Sequence, residues 1–269
     1  MTTTTNRRTA RAGFARDSWV VCWQELRDLW LAGRGLPLLL AFSVLLSVTS
    51  YLVASNQALN FLEQREAVNL TLQMAVAVAG LMVLLIAGDG VSGERERETL
   101  ESLLLTPVST RSLVLGKAGA ALSLWLAAFV VTSVYVLYLS RGVGIAAHAL
   151  VAGFVVGTLL SVFLAAFGLF ISILSSSNRF SLSVSLFALL ALFAPSQLPT
   201  SAQNGWAGTT LLHVDPFTSG LQYLSRVVVD AHALGSEGEW LAGPLIVSVL
   251  AVGAAWLVAG RLRLVPGRS

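Results

Sequence analysis

Seven ionisable side chains lie close together between two long apolar runs of this chain. They are Asp89, Glu94, Arg95, Glu96, Arg97, Glu98 and Glu101. Near the centre of a bilayer, each charged residue would cost about 2.5–3.5 kcal/mol, so this stretch must lie outside the hydrocarbon. Side chains of this type form ion pairs with each other or contacts with a partner, and which of these they form depends on the element that presents them.

The charged run itself predicts a helix. Ser92 can cap the first turn, where Glu94 and Glu96 suit the positive end of the helix dipole. Arg97 and Glu101 lie four residues apart and can pair on one face. Three leucines form a second, apolar face: Leu100, Leu103 and Leu104.

Pro107 predicts the end of this helix, because proline cannot continue a helix and disfavours helical geometry at the preceding residue. Ser109 then suits the cap of a new helix that runs into the next apolar segment. We therefore expect residues 92–106, approximately, to form a rigid lever along a membrane surface. From Glu94 to Leu105 it would span about 18 Å at the usual helical rise.

Other residues that could carry out catalysis or bind a cofactor or metal lack the spacing that those motifs require. Gly116-Lys117 has no upstream glycine of a phosphate-binding loop, so we expect no ATP hydrolysis and no bound cofactor on this chain. The histidines have no metal-like spacing, and no Gly-x-Ser-x-Gly elbow exists. We interpret them as solvated loop residues: His148, His213 and His232.

The composition predicts an all-α integral membrane protein. Of 269 residues, 55% are apolar and only 12% are charged, whereas soluble domains carry about 25% charged residues. Six apolar runs are long enough to cross a hydrocarbon core of about 30 Å. They are residues 36–55, 68–88, 117–139, 145–174, 180–198 and 240–259.

The fourth run is about ten residues longer than a span requires. Small residues recur along it at every fourth position: Gly153, Gly157, Ser161 and Ala165. Such a ridge lets another helix approach closely, so it predicts packing rather than a ligand site.

The N-terminal segment divides into two parts. Residues 1–15 are polar and basic, which predicts a disordered tail. Residues 16–35 predict an amphipathic helix at the membrane–water interface, with Trp19, Trp23, Leu26 and Trp30 on one stripe. The lone Cys22 lies on the flank of that face and is expected to be structural, because a single cysteine forms no internal disulfide.

Between the fifth and sixth runs, Asp215-Pro216 predicts a helix start with proline at the first position. An apolar face comes after it: Leu221, Leu224, Val227 and Val228. We expect a helix within residues 211–230, at the outer membrane surface, that is too short and too charged to cross.

The basic residues predict the orientation. With the N-terminus inside, all of the 17 Lys and Arg residues except Arg65, Arg141 and Arg226 fall on the inner side. Both termini, including a tail at residues 261–269, are therefore expected in the cytoplasm. Because the basic residues sort by side rather than forming one patch, the net charge of +3 does not indicate nucleic-acid binding.

One long pattern extends from the charged run into the next apolar segment. Its parts are Gly93-Glu94-Arg95-Glu96, Thr99-Leu100-Glu101, Leu103-Leu104, Pro107-Val108-Ser109 and Gly116-Lys117. Over nearly 30 residues it resembles the loop between spans 2 and 3 in type-2 permeases of ATP-binding-cassette (ABC) exporters, in the sodium- and drug-efflux-like branch. Glu98 departs from the pattern, since many relatives have glycine there.

The resemblance implies that this loop carries a coupling helix that docks on a separate cytoplasmic ATPase, where ATP and magnesium bind. The implied coupling residues are Glu94, Arg95, Glu96, Arg97, Thr99, Leu100, Glu101, Leu103, Leu104 and Pro107. It further implies a homodimer of six-span permease domains (residues 36–260) in the inner or plasma membrane, surrounded by lipid. The resemblance also implies an N-terminal connecting helix and re-entrant external helices between spans 5 and 6.

The spans contain no clear ionisable residue at mid-depth, which counts against an ion-coupled secondary carrier. That class and a non-transport accessory membrane protein are the alternatives. Hydroxyl and aromatic side chains remain as candidates for a substrate path: Ser133, Tyr135 and Tyr138. Tyrosines near the end of a span are, however, more often interface anchors.

Overall fold

The computed structural model describes residues 3–31, 33–55, 61–100, 109–197 and 213–260, and its regular elements there are all helical. The helices are α1 (Thr3–Leu31), α2 (Gly35–Ala54), α3 (Phe61–Asp89), α4 (Ser92–Glu96), α5 (Thr110–Leu139), α6 (Ala146–Leu174), α7 (Asn178–Phe193), a 3₁₀ turn (Ala194–Gln197), α8 (Pro216–Val228) and α9 (Glu239–Ala259). Six of them are long and apolar enough to cross a membrane: α2, α3, α5, α6, α7 with its 3₁₀ turn, and α9. The predicted number of spans is confirmed.

Helix α6 lies at the centre and packs against α3, α5, α7, α8 and α9. Its small residues allow the close approach. A Cβ at Gly157 would lie 2.0 Å from Trp125 Cη2 of α5, and one at Gly153 would lie 2.8 Å from Leu72 Cδ2 of α3. Ser161 and Ala165 on the same ridge are buried. The predicted ridge is therefore a packing surface.

Helix α1 packs along the beginning of α5. A Cβ at Gly116 would lie 2.5 Å from Val21 Cγ1, and one at Gly119 would lie 2.7 Å from Cys22 Sγ. These glycines are where α1 approaches, and Cys22 makes a packing contact, as expected. Burial, together with nearby Glu25, raises the pKa of its thiol.

The tryptophan stripe of α1 is only partly engaged. Trp30 Nε1 donates to Ser123 Oγ of α5 at 3.0 Å, and Leu26 is half-buried. Trp19 and Trp23 are 67% and 57% exposed. The face that packs on α5 is therefore centred on Val21 and Cys22 rather than on the tryptophans.

Helix α1 begins at Thr3, so residues 3–15 are helical where the sequence predicts a disordered tail. Arginine and alanine are frequent in this segment and favour helix, and no proline interrupts it. Residues 261–269, expected to form the second tail, lie outside the described residues.

The predicted lever is broken near its middle. Helix α4 ends at Glu96 rather than near Leu105, and Glu98 has a φ of 60°. The Thr99 N–H donates to Glu94 O at 3.0 Å, and the Glu98 N–H donates to Arg95 O at 3.3 Å. These two bonds form a Schellman motif, in which the residue at the position of Glu98 is usually glycine.

Two predicted helix starts are confirmed. Ser109 caps α5 by accepting the N–H of Ser112, and Asp215 caps α8 by accepting the N–H of Thr218, with proline following it. Helix α8 lies at the far end of the bundle from α4 and packs against α3, α6 and α9. Its buried apolar face includes Leu224, Val227 and Val228.

Candidate functional site at the charged end of the bundle

Charged side chains from several helices meet around a cavity of about 460 Å³. Its lining includes Glu25, Arg34, Asp89, Glu94, Arg97 and Lys117. We call this region, where α1, α4 and the beginning of α5 meet the end of α3, the charged end. It gathers residues that lie far apart in the sequence.

Lys117 is the most buried charge at this end, with only 4% of its side chain exposed. Its Nζ lies 2.6 Å from Glu25 Oε1 of α1 and also donates to Glu94 Oε1 of α4. A buried ammonium is tolerated only when it is paired and hydrogen-bonded. Lys117 therefore ties α1, α4 and α5 together.

Glu94 is held through one oxygen only. Its Oε2 is buried and has no hydrogen-bond partner within the described residues. Burial raises the pKa of this carboxyl, and the attraction of Lys117 lowers it only in part. The charge of Glu25 raises it further. The ionised form of Glu94 is thus less stable here than in water.

Asp89, at the end of α3, accepts from three directions. Arg34 Nη1 lies 2.8 Å and Arg97 Nη2 3.3 Å from its Oδ2, while Asn178 Nδ2 donates to its Oδ1 at 2.7 Å. Arg97 therefore pairs with Asp89, whereas the sequence suggested Glu101, which lies outside the described residues. Through Asn178 and Arg97, Asp89 links α3 to α7 and to the turn after α4.

The start of α4 is satisfied by a hydroxyl of α6. Ser172 Oγ accepts the N–H of Val91 at 3.0 Å and that of Ser92 at 2.9 Å. The prediction that Ser92 caps the helix is wrong, because Val91 is the N-cap residue and has no capping side chain of its own. Ser92 Oγ instead donates to Gly88 O at 2.8 Å.

The remaining residues of α4 contact the turn between α6 and α7. The Arg95 guanidinium donates to the carbonyls of Ile173 and Ser175 at the end of α6. Glu96 Oε2 accepts the backbone N–H of Asn178 at 3.2 Å, at the start of α7. Helix α4 is thus attached to α5, α6 and α7 by separate side chains.

The predicted coupling residues separate into two groups. Those that the structure describes make contacts within the chain: Glu94, Arg95, Glu96, Arg97, Thr99 and Leu100. Leu100 is only 8% exposed and belongs to the chain's own apolar core, so Leu100 itself is not on an exposed apolar face. Glu101, Leu103, Leu104 and Pro107 lie outside the described residues.

The three candidates for a substrate path point in different directions. Ser133 Oγ donates to Val130 O of its own helix at 2.7 Å. The Tyr135 hydroxyl bonds with Ser47 Oγ of α2. Tyr138 is 60% exposed, with the Arg141 guanidinium 5.3 Å from its ring centre. Exposure beside an arginine at a helix end fits an interface anchor.

At the opposite end, two of the three histidines make ordered contacts. His213 stacks on Trp240 with 4.3 Å between ring centres, and His232 Nδ1 lies 2.7 Å from Glu237 Oε1. Arg226 lies 3.0 Å from Glu237. Burial raises the pKa of Glu237, but hydrogen bonds from His232 and Arg226 lower it more, and the net pKa is below its ordinary value. Both histidines are exposed, as the solvated interpretation expects, and each also contacts a defined partner.

Six apolar helices with α6 at their centre, and a buried ion network at one end, define a multi-pass helical membrane protein. A family model described as "ABC-2 family transporter protein" matches residues 19–259, which includes every described helix at least in part. The chain therefore belongs to the ABC-2 transporter family and is a permease subunit of an ABC transporter. The resemblance to type-2 ABC permeases is confirmed. Among curated proteins, none matches the chain.

Proposed function

We propose that this chain forms the translocation path of an ATP-driven exporter, and that α4 with the residues after it docks a separate cytoplasmic ATPase. The observation that carries this proposal is the attachment of α4 to three apolar helices. Glu94 reaches α5, Arg95 reaches α6 and Glu96 reaches α7. A displacement of α4 by a partner would therefore act on the ends of all three helices together.

The solvent-exposed surface of α4 and the turn after it supports a contact with another protein. Arg97, Glu98 and Thr99 are exposed, and they lead directly into the apolar sequence around Leu103 and Leu104. Exposed charges beside an apolar patch are the usual anatomy of an interface, with a polar rim around an apolar centre. On this proposal ATP and magnesium bind to the partner, and this chain binds no cofactor.

The rest of the proposed assembly follows from the family. One chain supplies half of the path, so the functional unit is a homodimer in the inner or plasma membrane, with both termini in the cytoplasm. The exposed Trp19 and Trp23 of α1 suit the interface of the cytoplasmic leaflet. Helix α8, packed on α3, α6 and α9, is proposed as a re-entrant element that closes the outer end.

The path itself is proposed to pass along α5. Tyr135 and Ser47 place two hydroxyl groups between α5 and α2, whereas Ser133, two residues before Tyr135, lies on nearly the opposite side of α5. These groups offer hydrogen bonds in an otherwise apolar and aromatic environment. They are candidates for contact with cargo.

The test is capture of the ATPase by the purified permease. Leu103→Asp should abolish capture, because an unpaired carboxylate in a dry protein contact costs several kcal/mol. Insertion and dimerisation should persist. Leu100→Asp is the contrasting variant: Leu100 is buried in the permease itself, so this change should reduce the yield of folded protein.

Arg97→Ala is the mild control, since an exposed ion pair contributes about 1 kcal/mol or less. If Leu103→Asp leaves both ATPase capture and transport intact, the docking assignment is wrong. If it prevents insertion, Leu103 packs within the permease and the assignment is wrong as well.

A further inference from the structure

The contacts of Lys117 are unbalanced in charge. One buried ammonium faces two carboxylates, Glu25 on α1 and Glu94 on α4. Of the other charges that line the same cavity, Arg97 also attracts ionised Glu94, but the ion pair that Arg97 makes among the described contacts is with Asp89. Asp89 is occupied by Arg34 and Arg97, and Asp28 adds a further negative charge to the lining. Within the described part of the chain, Lys117 is therefore the cation that both Glu25 and Glu94 contact directly.

The two carboxylates are anchored unequally. Glu25 lies on a long helix that is fixed to α5 by close packing of Val21 and Cys22 on glycines and by the bond from Trp30 to Ser123. Glu94 lies on a helix of five residues, which is held to α6 and α7 by hydrogen bonds of Arg95 and Glu96 rather than by close helix packing. Glu94 contacts Lys117 through one oxygen, while the other is buried without a partner among the described residues. Of the two partners of Lys117, Glu94 is the one that can leave.

We propose that Glu25 is a positioning residue that sets how firmly α4 is held, by competing with Glu94 for Lys117. When α4 moves away, Lys117 keeps Glu25 as its counter-ion, so the movement does not leave an unpaired buried ammonium. Without Glu25, Lys117 would depend on Glu94 alone and would hold α4 more tightly. Repulsion between the two carboxylates acts in the same direction, since the charge of Glu25 disfavours ionised Glu94.

The meaning of this competition for transport rests on the proposed role of α4 in docking an ATPase, but the competition itself does not. It can be measured on the permease alone, in lipid nanodiscs, by hydrogen–deuterium exchange of peptides within residues 92–100 at fixed pH. A failure of the ATPase to bind would contradict the proposed function and leave this measurement unaffected.

Glu25→Gln should slow exchange in these peptides by about tenfold, the factor that corresponds to the weak end of the range for a hydrogen bond to a charged group. Asp28→Asn is the matched control, because it removes a neighbouring carboxylate of α1 that lines the cavity but has no contact with Lys117 among those described. It should leave exchange of α4 unchanged.

A double variant separates competition between Glu25 and Glu94 from a purely structural role of Glu25. In Glu94→Gln, no second carboxylate competes for Lys117, so adding Glu25→Gln should no longer slow exchange. The proposal is overturned if Glu25→Gln accelerates exchange of α4 or leaves it unchanged. It is also overturned if the slowing persists in the Glu94→Gln background.

Discussion

The indole ring of Trp125 lies against the backbone of Gly157, and its Nε1 donates to Thr158 Oγ1 at 3.1 Å. This contact joins α5 to the central helix α6. Within a membrane, lipid tails are as apolar as the side chains, so helices associate through close packing and interhelical hydrogen bonds. Trp125 supplies both, through its packing on Gly157 and its hydrogen bond to Thr158.

Gly157→Ala should destabilise the permease by about 1–3 kcal/mol, because the added methyl group would lie 2.0 Å from Trp125 Cη2. The measurement is thermal unfolding in detergent. Gly253→Ala in α9 is the control, since nothing lies within 4 Å of a Cβ there. Equal melting temperatures for the two variants would show that α5 and α6 do not pack through Trp125.

Glu98→Gly should stabilise the turn after α4 by about 0.5–1 kcal/mol, because a side chain in the left-handed region is strained and glycine is not. Glu98→Ala keeps the Cβ and removes the carboxylate, so it should leave stability unchanged. Chemical denaturation of the purified protein gives both values. A gain in Glu98→Ala as large as that in Glu98→Gly would assign the effect to charge and contradict the backbone argument.

Asp215 predicts a dependence of stability on pH. Burial raises the pKa of this carboxyl above its ordinary value of 3.8, although hydrogen bonds from Thr218 and Phe217 oppose the shift. The folded chain therefore binds the proton more tightly than the unfolded chain. The resulting stability is present below the ordinary pKa and is lost as pH rises through the folded pKa.

Asp215→Asn keeps an acceptor for the Thr218 N–H and removes the ionisation, so its melting temperature relative to the native protein should rise as the pH increases above the ordinary pKa of 3.8. Asp215→Ala, which loses the cap, should cost about 1 kcal/mol at neutral pH. If the melting temperature of Asp215→Asn falls relative to that of the native protein as the pH increases, the pKa of Asp215 is not raised in the folded chain and the prediction is wrong.

The proposed orientation predicts the outcome of labelling in intact cells. In a Cys22→Ser background, cysteines at Ser109 and Ser236 should react from opposite sides of the membrane, and both positions are exposed. An impermeant maleimide should label position 236 alone. Labelling of both positions in sealed cells, with position 109 reacting as fast as position 236, would contradict the orientation.

Local signals in the sequence predicted much of the fold. The fourth span was expected at residues 145–174 and occupies Ala146–Leu174. Ser109 and Asp215 were identified as caps because a cap depends on residues only three positions away. The small-residue ridge of α6 was readable for the same reason, since the helical period places every fourth residue near one face.

Contacts between distant segments could not be read in this way. Glu25 and Lys117 are 92 residues apart, and no periodic pattern shows that they meet. The end of α4 was missed because Glu98 occupies a position where glycine would have marked the turn. One signal was present for Lys117: it is a lone charge within an otherwise apolar stretch of α5, from Ser112 to Leu139.

The packing of α1 on α5 also has a consequence for biosynthesis. Trp30 and Ser123 are 93 residues apart, so at about 5–20 residues per second the ribosome needs roughly 5–20 s to produce the partner of α1. Helices α2 and α3 are synthesised during that interval, while the side of α1 formed by Val21 and Cys22 lacks the α5 glycines on which it packs. The nascent chain therefore depends on lipid headgroups, or on the insertion machinery, to shelter α1 until α5 emerges.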